Sequence, residues 1–205
     1  MPLFSFGYDP FVDNYKVFAV FFCEQHKNQL FVHTLGMDSW RSIHNNFPRC
    51  SSIRGSGIFV GGTVNWLVTD PPKTIWLPIG GGDANSFHYI VSLDLKNESL
   101  QTLLQPDLGT DEWILGQLRD CLSIFANTKM CFDVWIMKEY GMKESWTKLY
   151  SVPYMKDEGL YFYNKVLYIS EEGKLLMFSH VSGEVILKLV VYDSKNGTFK
   201  LDYRD

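Results

Sequence analysis

Four returns of one segment constrain this chain more than any other feature: a short apolar strand, a polar turn, then a small hydroxyl residue followed by a large apolar one. Val32-His33-Thr34-Leu35 leads to Asp38-Ser39-Trp40, and Val91-Ser92-Leu93-Asp94 leads to Glu98-Ser99-Leu100. Val134-Trp135-Ile136-Met137 leads to Glu144-Ser145-Trp146, and Val190-Val191-Tyr192-Asp193 to Gly197-Thr198-Phe199. The second and fourth copies also share the turn residues Lys96-Asn97 and Lys195-Asn196. Successive hydroxyl residues stand about 46 to 60 positions apart, a period that suits one small antiparallel sheet per repeat better than a helical pair. The chain is therefore expected to be all-β.

A second hairpin is expected ahead of each of the last three copies. Val64-Asn65-Trp66-Leu67, Cys121-Leu122-Ser123-Ile124 and Val166-Leu167-Tyr168-Ile169 follow the turn candidates Gly61-Gly62-Thr63, Leu118-Arg119-Asp120 and Tyr163-Asn164-Lys165. Two hairpins per repeat make a four-stranded antiparallel sheet, the blade of a β-propeller. The first unit starts differently, with Phe6-Gly7-Tyr8-Asp9-Pro10 and Asn14-Tyr15-Lys16-Val17 around a Pro/Asp turn. The expected fold is a propeller or partial propeller of about four blades within one domain over residues 1–205, the blades spanning 6–45, 57–105, 113–152 and 160–203.

Composition sets limits on function. With 46% hydrophobic and 16% aromatic residues the chain can fill a core, and a net charge of −4 with both signs interspersed offers no basic stripe for phosphates. Nucleic acid is not an expected partner. No run approaches the roughly 20 apolar residues that span a bilayer, and the N-terminus lacks a secretory pattern, so no membrane is expected and a cytoplasmic or nuclear location is. The cysteines Cys23, Cys50, Cys121 and Cys131 show no paired spacing and read as reduced structural thiols, Cys121 and Cys131 inside strands. The stretch Trp135 to Trp146 is the best helix candidate, and Gly141 interrupts it.

Catalytic patterns are weak throughout. Gly80-Gly81-Gly82-Asp83 lacks the strand-to-helix context and the following Lys-Ser or Lys-Thr of a phosphate cradle, and the five histidines hold no metal-ligand spacing. No Gly-x-Ser-x-Gly elbow exists, and Glu171-Glu172 before Gly173 read as a hairpin tip. No catalytic, metal or cofactor-binding residue is assigned, and the chain is not expected to be an enzyme. Trp40, Trp66, Trp135 and Trp146 recur at equivalent strand positions and are expected to fill the wedge between blades. Tyr8, Asp9 and Tyr15 offer a binding patch, but Asp9-Pro10 reads more economically as a turn in which the aspartate side chain accepts backbone N–H groups.

The order of several blocks resembles a known family. Phe6-Gly7-Tyr8-Asp9-Pro10, Ser39-Trp40-Arg41, Gly62-Thr63-Val64-Asn65-Trp66-Leu67, Ile90-Val91-Ser92-Leu93-Asp94-Leu95 and above all Asp133-Val134-Trp135-Ile136-Met137-Lys138-Glu139-Tyr140-Gly141 are similar to the F-box-associated interaction domain of plant F-box and kelch-like proteins. The resemblance implies a kelch-like propeller that holds the target protein of a cullin-based (SCF-type) ubiquitin ligase. It also implies that the ligase adaptor docks on an F-box, which this chain does not carry. Two other readings stay open, a truncated scaffold without ligase function and a propeller enzyme or glycan binder.

For the partner contact, the loop from Thr69 to Phe87 draws attention because long loops in compact domains carry function. Trp76 within it lies outside any strand pattern, and aromatic anchors dominate protein interfaces. Trp76 is the first candidate, with Trp113 and Tyr140 as further ones. The identity of the target is not legible in the sequence.

Overall fold

A computed structural model describes residues 2–22, 28–48, 52–69, 88–154, 161–181 and 187–201. Among the described residues sixteen strands form four sheets, and the one helix is a three-residue 3-10 turn at Lys143–Ser145. The first sheet holds β1 (Leu3–Asp9), β2 (Asn14–Phe21), β3 (Asn28–Thr34) and β4 (Arg41–Phe47); the second holds β5 (Ser52–Val60), β6 (Thr63–Thr69), β7 (His88–Asp94) and β8 (Ser99–Leu103). The third comprises β9 (Trp113–Leu118), β10 (Cys121–Asn127), β11 (Cys131–Met137) and β12 (Trp146–Pro153). The fourth comprises β13 (Tyr161–Ile169), β14 (Lys174–Val181), β15 (Leu187–Asp193) and β16 (Thr198–Leu201). Every sheet runs up and down in sequence order with antiparallel pairing, which is the arrangement of a propeller blade. The chain divides into two compact units, Met1–Gln105 with the first two sheets and Pro106–Asp205 with the last two.

Local chemistry explains the hairpins. Gly61 and Gly62 both take positive φ (56° and 78°), the backbone of a two-residue turn whose twist matches its strands. The β7–β8 and β15–β16 turns are built alike: the Asp94 carboxylate accepts the N–H groups of Lys96 and Asn97, and the Asp193 carboxylate accepts that of Lys195. The repeated Asp-x-Lys-Asn sequence therefore encodes one turn twice. The β9–β10 turn takes the same left-handed geometry as Gly61-Gly62 with two side-chain residues, Arg119 (φ 50°) and Asp120 (φ 59°). Left-handed backbone costs an L-residue roughly 1–2 kcal/mol. Arg119→Asn combined with Asp120→Gly is expected to stabilise the second unit by about 1–2 kcal/mol in denaturant titration; no gain would mean that side-chain contacts of this turn offset the strain.

The first unit packs its two sheets face to face around Trp66, which is fully buried against Phe18 and Phe47. Trp66 Nε1 donates to Ser5 Oγ on β1 at 3.0 Å, and the same hydroxyl accepts the Gly57 N–H at 2.8 Å. Gly7 is required by a close approach: a Cβ there would stand 2.2 Å from the Phe59 ring. In the second unit Tyr163 is the equivalent centre, its ring stacked on Tyr154 and Phe199 and edge-on to Phe132.

Three sequence expectations are corrected. Tyr163-Asn164-Lys165 is not a turn; it lies inside the continuous strand β13, where a register shift between Tyr163 and Lys165 absorbs the extra residue as a bulge. Trp40 is not a core residue but stands 46% exposed, one position before β4 begins. Trp135 is only half-buried, with Lys148 Nζ 5.1 Å above its ring, whereas Trp146 is buried as expected. Cys121 and Cys131 are free thiols that open β10 and β11, and Cys23 and Cys50 lie outside the described residues.

Candidate protein-interaction surface

In β1 the usual alternation is inverted. Ser5, Gly7 and Asp9 face the second sheet, while Phe4, Phe6 and Tyr8 point outward, Phe4 at 53% and Phe6 at 60% exposure. The inward positions suit small or satisfied groups: Ser5 bridges to Trp66, Gly7 meets the Phe59 ring, and buried Asp9 is ion-paired to Lys16 at 2.5 Å while accepting the Phe11 N–H. This last contact is the side-chain-to-backbone turn expected at Asp9-Pro10. The aromatic side chains of β1 are thereby committed to the opposite face.

Neighbouring strands extend that face. Phe6 stacks on Tyr15 of β2 with centroids 5.3 Å apart and planes 4° from parallel, and Tyr8 meets Tyr15 edge-on. Phe21 contacts Phe31, and Trp40 leans toward both Phe4 and His33. Ala19, too small to fill its place, leaves a cleft of about 440 Å³ among Phe4, Phe21, Gln29, Phe31 and Trp40. Among the described residues no charged side chain lines it. A contiguous exposed apolar patch rich in aromatic residues is the kind of surface that marks candidate interaction sites.

One charge pair and one hydrogen-bonded carboxylate stand at the margin. Arg41 grips Glu98 with both guanidinium nitrogens, one at 2.7 Å, tying the first sheet to the β7–β8 hairpin and holding the Glu98 carboxyl below its ordinary range. The Tyr8 hydroxyl donates to Asp13, and that bond raises the tyrosine's pKa.

A second polar cluster sits on β11 and β12. Asp133 is buried and accepts from Lys148 (2.7 Å), Ser151 (2.6 Å) and Cys131 (3.4 Å). Burial opposes its ionisation, but the hydrogen bonds from Lys148, Ser151 and Cys131 and the lysine charge outweigh that effect and lower its pKa. The Tyr154 hydroxyl close by lies 3.0–3.1 Å from Asn127 Oδ1 and the Thr128 and Cys131 carbonyls, sharing its one proton among them, and burial pushes its pKa up to about 12. These contacts satisfy one another and fix the strand ends. A folded pKa below the unfolded aspartate value near 3.9 contributes stability that is complete above that value and lost as pH falls through the folded pKa. Unfolding titrations are expected to show a stability plateau above about pH 4 and a decline beneath it. Asp133→Asn should shrink that decline, and an unchanged acid limb would remove Asp133 from the account.

The residues expected from sequence as partner contacts fall elsewhere. Trp76, with its whole loop over 70–87, lies outside the described residues. Trp113 opens β9 with its side chain only 3% exposed, so its ring serves packing. Tyr140 is half-buried in the β11–β12 connection beside Gly141, whose φ of 85° turns the chain. The sequence reading touches the aromatic face only through the patch of Tyr8, Asp9 and Tyr15, where a turn is the more economical reading, and it does not reach Phe4, Phe6, Phe21 or Phe31. The signal of the face was present in the order Phe4-Ser5-Phe6-Gly7-Tyr8-Asp9, where residues too small or too polar to form a core face alternate with rings. Among the described residues no three His, Cys, Asp or Glu side chains converge on a metal position, and no helix is long and apolar enough to cross a membrane.

Comparison with known proteins agrees with this architecture. The F-box associated beta propeller domain family matches residues 2–201. An F-box/kelch-repeat protein of Arabidopsis thaliana is 32% identical over 207 residues, covering 96% of this chain and 49% of its own length. The F-box protein CPR1 of the same plant is 26% identical over 85% of this chain and 46% of its own. The chain thus spans about half the length of these curated relatives. Among solved structures, TolB from Acinetobacter baumannii superposes with a TM-score of 0.51 at 15% identity over 96% of this chain and 42% of its own, a likeness of fold alone.

Proposed function

Because the chain belongs to the F-box associated β-propeller domain family, we propose that it is the target-holding part of an F-box protein in an SCF-type ubiquitin ligase. The observation that supports this most is the outward-facing aromatic surface of the first sheet, with the Ala19 cleft at its centre. A protein partner would set an apolar side chain into that cleft, between the rings of Phe4, Phe31 and Trp40, and gain the burial that drives most protein association. Gln29, the one polar side chain among the described residues lining the cleft, would orient it by hydrogen bonding.

In this reading the propeller supplies recognition and an F-box supplies adaptor docking. The test is a pull-down with purified adaptor and cullin. The chain alone is expected to show no adaptor binding at micromolar concentration, and an F-box segment fused ahead of Met1 is expected to restore it. Stoichiometric adaptor binding by the unfused chain would overturn the division of labour and place docking on a propeller surface.

A further inference from the structure

We infer that the aromatic face of the first sheet closes against the same face of a second copy of this chain. The inference rests on reading that face as an interaction surface, and it names the partner the face takes when the chain is alone in solution. Area is the first argument. Phe4, Phe6, Tyr8, Tyr15, Phe21 and Trp40 are each between 41% and 60% exposed. At roughly 200 Å² per ring, six half-exposed rings leave on the order of 600 Å² of ring surface in water, at the upper end of what a monomer tolerates. Two such faces together bury about 1,200 Å², enough for a specific interface.

Charge is the second argument. Two identical surfaces meet without repulsion only where neither carries net charge. The described residues that line the cleft are uncharged, Arg41 is neutralised by Glu98, and Lys16 is buried with Asp9 on the opposite side of the sheet, which leaves the Asp13 carboxylate, bonded by the Tyr8 hydroxyl, as a charge at the rim of the face.

Shape is the third. The stacked Phe6–Tyr15 pair forms a ridge beside the hollow floored by Ala19. In a twofold contact residue i meets j and j meets i, so a ridge next to a hollow on one copy can enter the hollow and receive the ridge of the other. Faces of stacked sheets approach to about 10 Å, a spacing that interdigitated rings fill. Self-association would then mask the surface proposed for the target, and target capture would fall as the chain's own concentration rises.

Sedimentation of the purified chain over a concentration series tests this. The chain is expected to sediment at twice its mass, and Phe6→Asp, which sets two carboxylates into the joint, is expected to weaken association about 100-fold or more. Trp40→Ala, outside any strand, is the second variant should Phe6→Asp fail to fold, and it should also dissociate the pair. Met130→Ser, at an exposed turn of the second unit, should leave the pair intact. A monomeric wild-type chain at every concentration, or a dimer indifferent to both face variants, would overturn the inference. A monomer with its face open would leave the target reading standing, since that reading fails on a different result, unchanged partner capture by the face variants.

Discussion

Trp66→Ala is expected to destabilise the first unit by about 3–5 kcal/mol, the range for removing a large aromatic side chain from a packed core. Trp66 is fully buried, touches Phe18 and Phe47 edge-on, and holds Ser5 through its indole N–H. Its removal opens a cavity between the two sheets and deprives the Ser5 hydroxyl of one of its two donors. Domain stabilities run from roughly 5 to 15 kcal/mol, so the loss would take a large share of the total. Hydrogen exchange of β6 and β7 amides under native conditions would register it directly. Trp40→Ala removes an equally large ring from the exposed face of the first sheet, and there the change is expected to stay within about 0.5 kcal/mol. Equal losses at both positions would mean that the Trp40 face is packed, which would dismantle the interaction surface.

Tyr163→Ala should be as damaging to the second unit, again by about 3–5 kcal/mol. Its fully buried ring stacks on Tyr154 and Phe199, and its carbonyl accepts Asn127 Nδ2 at 3.0 Å, tying the fourth sheet to the third. The hydroxyl is secondary, donating to the Pro153 carbonyl at a long 3.4 Å. Tyr163→Phe should therefore cost about 1 kcal/mol or less, and guanidinium titration of the two variants separates ring from hydroxyl. If Phe were as costly as Ala, the hydrogen bond rather than the packing would be the keystone.

Much of this architecture was legible in the sequence. The hydroxyl-apolar pairs Ser99-Leu100 and Thr198-Phe199 begin β8 and β16, and Trp146 begins β12, so the recurring segment marked the last hairpin of each blade. Glycine and asparagine turns were readable because their chemistry is local: Asp94 and Asp193 make the same bonds with the same neighbours. Tyr163-Asn164-Lys165 misled for a related reason. Asn and Lys flanked by apolar residues look like a turn, and only pairing with β14 reveals that the strand carries a bulge there.

The interaction surface was harder to read because alternation reports which residues share a face, not which face has a neighbour. Trp40 follows the same Ser-Trp pattern as Trp146, yet Trp146 is buried and Trp40 exposed, a difference the shared pattern does not carry. Trp76 was singled out by its isolation in a long loop, and that loop lies outside the described residues. The resemblance to F-box-associated domains rested above all on the block from Asp133 to Gly141, which structurally supplies a bulged strand, a lysine-capped ring and a tight connection.

The claim that the first-sheet face holds a protein partner is tested most directly by quantitative proximity labelling in plant cells. The wild-type chain, fused behind an F-box segment, is compared with Trp40→Ala and Phe4→Ser variants whose melting is unchanged. The account predicts at least one protein whose labelling falls about tenfold or more in both variants, the loss of a single anchor residue worth roughly 1.4 kcal/mol or more. Identical labelled sets from all three chains would contradict it, and would move recognition to another surface of the propeller.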